Sequence, residues 1–169
     1  MIGVVLVIAL LGVTGCTGDG EGPDAEPSGT TTIANDSTTI SDQMPHYLRE
    51  ADRANARTEH TVVSTAARPT VTLQDSELMT MVIRDEGQDR WEAGNYRLVV
   101  YCVGAGTIYA HFSLGERSEV TELPTCSPTV TTGIVELTLP DPTTNSSVLI
   151  IPAGNAQAAI AYQIQKFQG

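Results

Sequence analysis

Positive charge is what this chain has least of. Its 169 residues carry nine Lys plus Arg against 20 Asp plus Glu, a formal net charge of −11 at pH 7. Such a surface repels phosphate backbones and offers anionic headgroups no basic patch, which argues against nucleic acid and against docking on lipid through charge. Cysteine is also scarce, with Cys16, Cys102 and Cys126 alone. No C-x-x-C spacing is present for a reactive thiol pair, and His46, His60 and His111 lack the His-x-x-x-His or Cys/His spacing of a zinc site. No apolar run approaches the roughly 20 residues of a spanning helix; the longest opens the chain and is interrupted at Thr14, Gly15 and Thr17. Local catalytic signatures are missing too: no Gly-x-Ser-x-Gly elbow, no Ser-x-x-Lys, no His-Glu-x-x-His. The expectation is a protein that is not an enzyme, with no catalytic residue, metal or cofactor. A triad or carboxylate pair assembled from distant strands is the enzymatic alternative.

The apolar run from Ile2 to Leu11 leads into Gly12-Val13-Thr14-Gly15-Cys16. An apolar core of about 7–15 residues ending in small residues reads as an export signal. Val13-Thr14-Gly15-Cys16 resembles the lipobox of bacterial lipoproteins. That resemblance implies that Cys16 becomes the mature N-terminus, carries thioether-linked lipid and holds the protein on the extracytoplasmic face of the cell membrane. Plain secretion is the alternative. Positive charge normally precedes such a run, yet the first basic residue here is Arg49; the α-amino group or an earlier start would have to supply it. Each buried CH₂ of a lipid contributes about 0.8 kcal/mol, so two or three acyl chains anchor stably where one does not.

With Cys16 lipidated, Cys102 and Cys126 remain, and two thiols in an exported protein read as one disulfide. The composition divides the chain into a signal (1–15), a tether (16–41), a helix (42–60) and a β domain (61–169). The tether is Gly, Pro, Ser, Thr, Asp and Glu with little apolar content beyond Ile33 and Ile40; such a segment cannot offset its ordering entropy and is expected to be disordered. Ser41 or Asp42 can cap a helix with Pro45 in its first turn, and Met44, Leu48, Ala51 and Asn55 share one side of it.

From Thr61 the period changes to two. Strands are expected at Val71–Leu73, Leu78–Ile83, Tyr96–Val103, Thr107–Leu114, Arg117–Leu123, Gly133–Leu139, Val148–Ile151 and Ala158–Phe167. Asp85, Glu86, Asp89 and Glu92 fall in a loop; their spacing is not that of a calcium loop. The fold class is mainly β, a single antiparallel sandwich or jelly roll preceded by a short helix. Alternation assigns the core to Tyr96, Leu98, Val100 and Cys102, then Ile108, Ala110, Phe112 and Leu114, then Val135, Leu137 and Leu139, and finally Ile160, Tyr162 and Ile164. Trp91 reads as a plug at one end of the sandwich or, alternatively, as a binding platform.

Gly94-Asn95-Tyr96-Arg97-Leu98-Val99-Val100-Tyr101-Cys102-Val103-Gly104-Ala105-Gly106 resembles the Gly-x-Tyr-x-Leu-x-Val-x-Cys-x-Gly-x-Gly hairpin of small actinobacterial lipoproteins of unknown function. A Cys some two dozen residues later and a closing amphipathic strand are similar as well. The resemblance, over about residues 92–167, implies a β-sandwich with a disulfide and carries no activity. The outer face of this hairpin places Arg97, Tyr101, Tyr109 and His111 together as a candidate binding face for a cell-wall glycan, a peptide or an envelope protein. Packing of those tyrosines under the helix or the second sheet is the alternative. The functional expectation is a membrane-anchored, non-enzymatic binding module. An accessory subunit docked on an envelope or secreted complex without a ligand pocket, or a small cell-wall hydrolase, are the competing readings.

Overall fold

The computed structural model describes residues 39–65, 71–74 and 77–168. Cys16 and the expected signal, with nearly all of the tether, lie outside the described residues. Helix α1 (Ile40–Ala54) is followed by β1 (Thr61–Thr65), β2 (Val71–Gln74), β3 (Glu77–Thr80), β4 (Ile83–Gly87), β5 (Gly94–Ala105), β6 (Ile108–Leu114), β7 (Arg117–Glu122), β8 (Thr131–Leu139), β9 (Ser146–Pro152) and β10 (Gln157–Phe167). The first sheet has the order β1-β10-β5-β8 and the second β4-β9-β6-β7, both antiparallel; β2 and β3 pair with each other. The protein is mainly β, as the alternation of its sequence requires.

Period-two patterning puts one set of side chains from each sheet into a shared core. Leu98 and Val100 of β5, Ile160 and Tyr162 of β10, and Val135 of β8 meet Ile108, Phe112 and Leu114 of β6 and Ile150 of β9. The inner-face assignments made from the sequence are all buried. Cys102 and Cys126 form the expected disulfide, with Cα atoms 5.5 Å apart. It joins β5 of the first sheet to the segment after β7 of the second.

The expected hairpin of β5 and β6 does not form. Strand β5 pairs with β10 and β8, whereas β6 pairs with β7 and β9. Gly104-Ala105-Gly106 is a crossing from one sheet to the other. Gly104 (φ +139°) and Gly106 (φ +108°) have backbone conformations disfavoured for L side chains, and a Cβ on either would lie 2.7 Å from the Cα of Ala158 or Ala156 respectively. Only glycine passes there.

Two further boundaries differ. The strand expected over Leu78–Ile83 ends at Thr80, and Ile83–Gly87 pairs along β9 as an edge strand, so Asp85 and Glu86 belong to a strand and not to a loop. Acidic residues disfavour strands in isolation but are common where an edge faces water. The helix starts earlier than Ser41: Thr39 is the N-cap, its hydroxyl accepts from the Asp42 N–H at 3.3 Å, and the Asp42 carboxylate reaches back to Thr39. Pro45 therefore lies in the second turn, and the helix ends at Ala54 with Asn55 as C-cap.

Helix α1 lies on the outer face of the first sheet. Met44, Tyr47 and Ala51, with Ile40 and Leu48 at the margin, pack on Val103, Ala159 and Ala161. Small residues on β10 let the helix approach closely. Replacing both Cys102 and Cys126 by Ser should destabilise the fold by about 3 kcal/mol, the loop-closure value for a loop of this length. Urea unfolding of the two proteins in parallel checks this.

Candidate functional site

The sandwich separates the four residues expected to share a face. Side chains in register across paired strands project from the same side of a sheet. Arg97 and Tyr101 project from the outer face of the first sheet, and Tyr109 and His111 from the outer face of the second. The whole core lies between the two pairs. A single patch of Arg97, Tyr101, Tyr109 and His111 is therefore not assembled.

Arg97 and Tyr101 are both engaged within the first sheet. The Arg97 Nε–H donates to Gln165 Oε1 at 2.7 Å, and its guanidinium stands 5.5 Å from the centroid of the Phe167 ring. The Tyr101 hydroxyl accepts from Gln163 Nε2 at 2.7 Å, while Gln163 Oε1 accepts from the Thr61 hydroxyl at 2.7 Å. Gln163 and Gln165 are buried amides, and an amide without partners in such a position costs on the order of 1–3 kcal/mol. Arg97 and Tyr101 supply those partners. Tyr101 is half-buried, paired across from Ala161 at the border of the helix-covered area.

Tyr109 and His111 belong to a different surface. On the outer face of the second sheet the register aligns Glu122, Tyr109 and Ile151 in one row, and Val120, His111, Leu149 and Arg84 in the next. A third row holds Ser118, Ser113, Ser147 and Glu86. The face thus grades from apolar and aromatic to hydroxylated. Val120 is 64% exposed, Ile151 40% and Tyr109 38%. His111 Nε2 and the Ser118 hydroxyl share a hydrogen bond of 2.6 Å. The Glu122 carboxylate accepts the Tyr109 phenol and repels a phenolate, so the Tyr109 pKa is raised above its ordinary value of 10.0. The face is shallow, and among the described residues α1 packs on β5 and β10 rather than on it. Val120, Leu149 and Ile151 were not singled out from the sequence. Their signal is an apolar residue at an outward position, legible only once the sheet of each strand is known.

At the seam between the sheet edges β1 and β4, the Tyr162 hydroxyl donates to Asp85 Oδ2, and the Thr65 hydroxyl reaches the same oxygen at 3.4 Å. Trp91 plugs this end of the sandwich. It is buried, its ring meets Tyr96 edge-on with centroids 5.3 Å apart, and its backbone bridges to Thr143. The Asp85, Glu86, Asp89 and Glu92 carboxylates are divided between β4 and the segment after it, and no group of three potential metal ligands converges among the described residues.

No family model matches this chain, and neither a curated protein nor a solved structure matches it.

Glu122→Gln should return the Tyr109 pKa toward that of a free tyrosine. A pH titration of the Tyr109 ring resonance in parent and variant reads the shift directly, and an unchanged midpoint would remove Glu122 as its cause.

Proposed function

We propose that this chain is a bacterial lipoprotein, anchored through lipid on Cys16, whose sandwich docks non-enzymatically on a protein of the cell envelope. The outer face of the second sheet is the docking surface. The observation that carries this reading is the inequality of the two outer faces. One is occupied over β5 and β10 by α1 and by hydrogen-bonded amides, with Ile134 of β8 exposed alone beyond them. The other leaves Val120, Ile151 and Tyr109 open to solvent in adjoining rows of a single sheet.

The composition of that face favours a protein over a glycan. Sugar recognition on an open face relies on flat rings set beside one another, and here Tyr109 stands without Tyr101. An apolar centre of Val120, Leu149, Ile151 and Tyr109 with a hydroxylated and charged rim is what protein interfaces present. A net charge of −11, and Glu122 and Glu86 on this face, favour a partner that is apolar at its centre and basic at its rim. The Val13-Thr14-Gly15-Cys16 motif supports the anchor, and the scarcity of basic residues supports lipid, rather than charge, as the hold on the membrane.

Cys16→Ser should abolish incorporation of a labelled fatty acid and release the full chain from the membrane fraction; membrane retention without label would overturn the anchor. The docking face is tested in cells with a photo-crosslinking residue at position 120 of the full chain. A discrete adduct with one envelope protein is expected, lost on adding Ile151→Asp and absent when the crosslinker sits at position 134 on the opposite sheet. Retention of the chain on purified wall glycan, dependent on Tyr109 and His111, would replace the protein by a glycan.

A further inference from the structure

Strand β7 ends the second sheet, with β6 on one side and no strand on the other among the described residues. It is exposed along its whole length, and its register with β6 runs without a shift. Backbone hydrogen bonds fix which of its groups are free. The Leu123 N–H donates to the Ile108 carbonyl at 2.9 Å, while the N–H groups of Gly115 and Ala153 make the corresponding bonds between the ends of β6 and β9, to the carbonyls of Asn145 and Thr107. Odd positions of β6 therefore bond to β9 and even positions to β7. On β7, Thr121, Glu119 and Arg117 follow Leu123 in turning their N–H and C=O groups to β6. Those of Ser118, Val120 and Glu122 turn away from the sheet. The edges on the other side of the sandwich are guarded: β1 has a register shift between Thr61 and Val63, and the Asp85 carboxylate of β4 turns inward to Tyr162. β7 has neither bulge nor proline. It carries charge instead, and register decides whether that charge repels.

We propose that β7 is a self-pairing edge: a second copy of this chain joins antiparallel through its own β7, about a two-fold axis at Val120, and the two second sheets become one. A two-fold contact presents the same residues from both sides. An axis normal to the sheet keeps outer face with outer face, so a one-residue slip is forbidden. With the axis at Val120, Val120 meets its own copy, Ser118 meets Glu122 of the other copy, and Glu119 meets Thr121 of the other copy. The outward backbone groups of Ser118, Val120 and Glu122 then all find partners. Each of these acids faces a hydroxyl, and Val120, 64% exposed in the single chain, is covered by itself. The neighbouring registers are worse. An axis at Glu119 sets that carboxylate against its own copy and Glu116 against Glu122. An axis at Thr121 sets Ser118 against Pro124, which has no N–H to give. A charge of −11 on each copy opposes association, but salt screens exposed charges beyond about 8 Å, so those at the seam decide. The pairing uses the strand edge, leaves Tyr109 and Ile151 open, and does not rest on the docking face.

In the hydrogen-bonded pair at the axis the two Cα atoms lie about 5.5 Å apart, within reach of a disulfide. Val120→Cys in the full chain, expressed in cells, should give a disulfide-linked dimer of twice the chain's mass on a non-reducing gel, and the parent chain should not. Glu119→Cys and Thr121→Cys should each give none alone, because each residue lies about 7–8 Å from its own copy, past the limit for a disulfide. Expressed together they should cross-link, and Ser118→Cys with Glu122→Cys should do the same. Ile151→Asp added to Val120→Cys should leave the dimer unchanged while removing the envelope adduct, so the two readings fail separately. Absence of a dimer at 120 would overturn the proposal, because the copies then do not meet there. Equal dimers at 119, 120 and 121 would overturn it as well, because the copies then meet without register.

Discussion

Every side chain of β10 from Ala158 to Gln165 is buried, on both faces of the strand. A two-layer sandwich buries one face of each sheet; burying the second requires something on the outside. Where the outward residues are Ala159 and Ala161, that cover is α1, admitted by their small size. Further along, the outward residues are Gln163 and Gln165, and they are held by Tyr101, Thr61 and Arg97. Burial of an amide is tolerated only when its donors and acceptors are met. The roles of Arg97 and Tyr101 follow from that constraint. So does the position of the helix, which would otherwise have a thin apolar stripe and nothing to place it on.

The second sheet has no such requirement. Its inner face completes the core through Ile108, Phe112, Leu114 and Ile150, and its outer face alternates polar with moderately apolar residues. Strand β7 is exposed along its whole length. A sheet with one wet face is ordinary for antiparallel architecture; what sets this one apart is that the wet face concentrates Val120, Leu149, Ile151 and Tyr109 at one end and serines at the other. Scattered apolar residues on a surface need no explanation, but contiguous ones on neighbouring strands do.

Alternation made the inner faces legible and left the outer ones undetermined, for a geometric reason. Two strands that face the same core from opposite sheets both show apolar residues inward, as β5 and β6 do. Their outward residues then lie on opposite sides of the molecule. The period-two pattern is identical whether the strands are hairpin partners or belong to different layers. Tyr101 and Tyr109 therefore looked like neighbours and are not. The cue to the crossing was present in Gly104 and Gly106, whose positive φ and close contact with Ala158 and Ala156 suit a change of layer as well as a turn. Composition could not choose between them. Strand β4 was hidden by a related ambiguity, since Asp85 and Glu86 have low strand propensity and are held by pairing with β9 rather than by their own preference. The disulfide and the plugging role of Trp91 followed from residue type alone.

The edge position of β4 bears on how Asp85 is understood. A charge aimed inward at an edge is a known guard against edge-to-edge association, and that role would account for a carboxylate between β1 and β4 without any ligand.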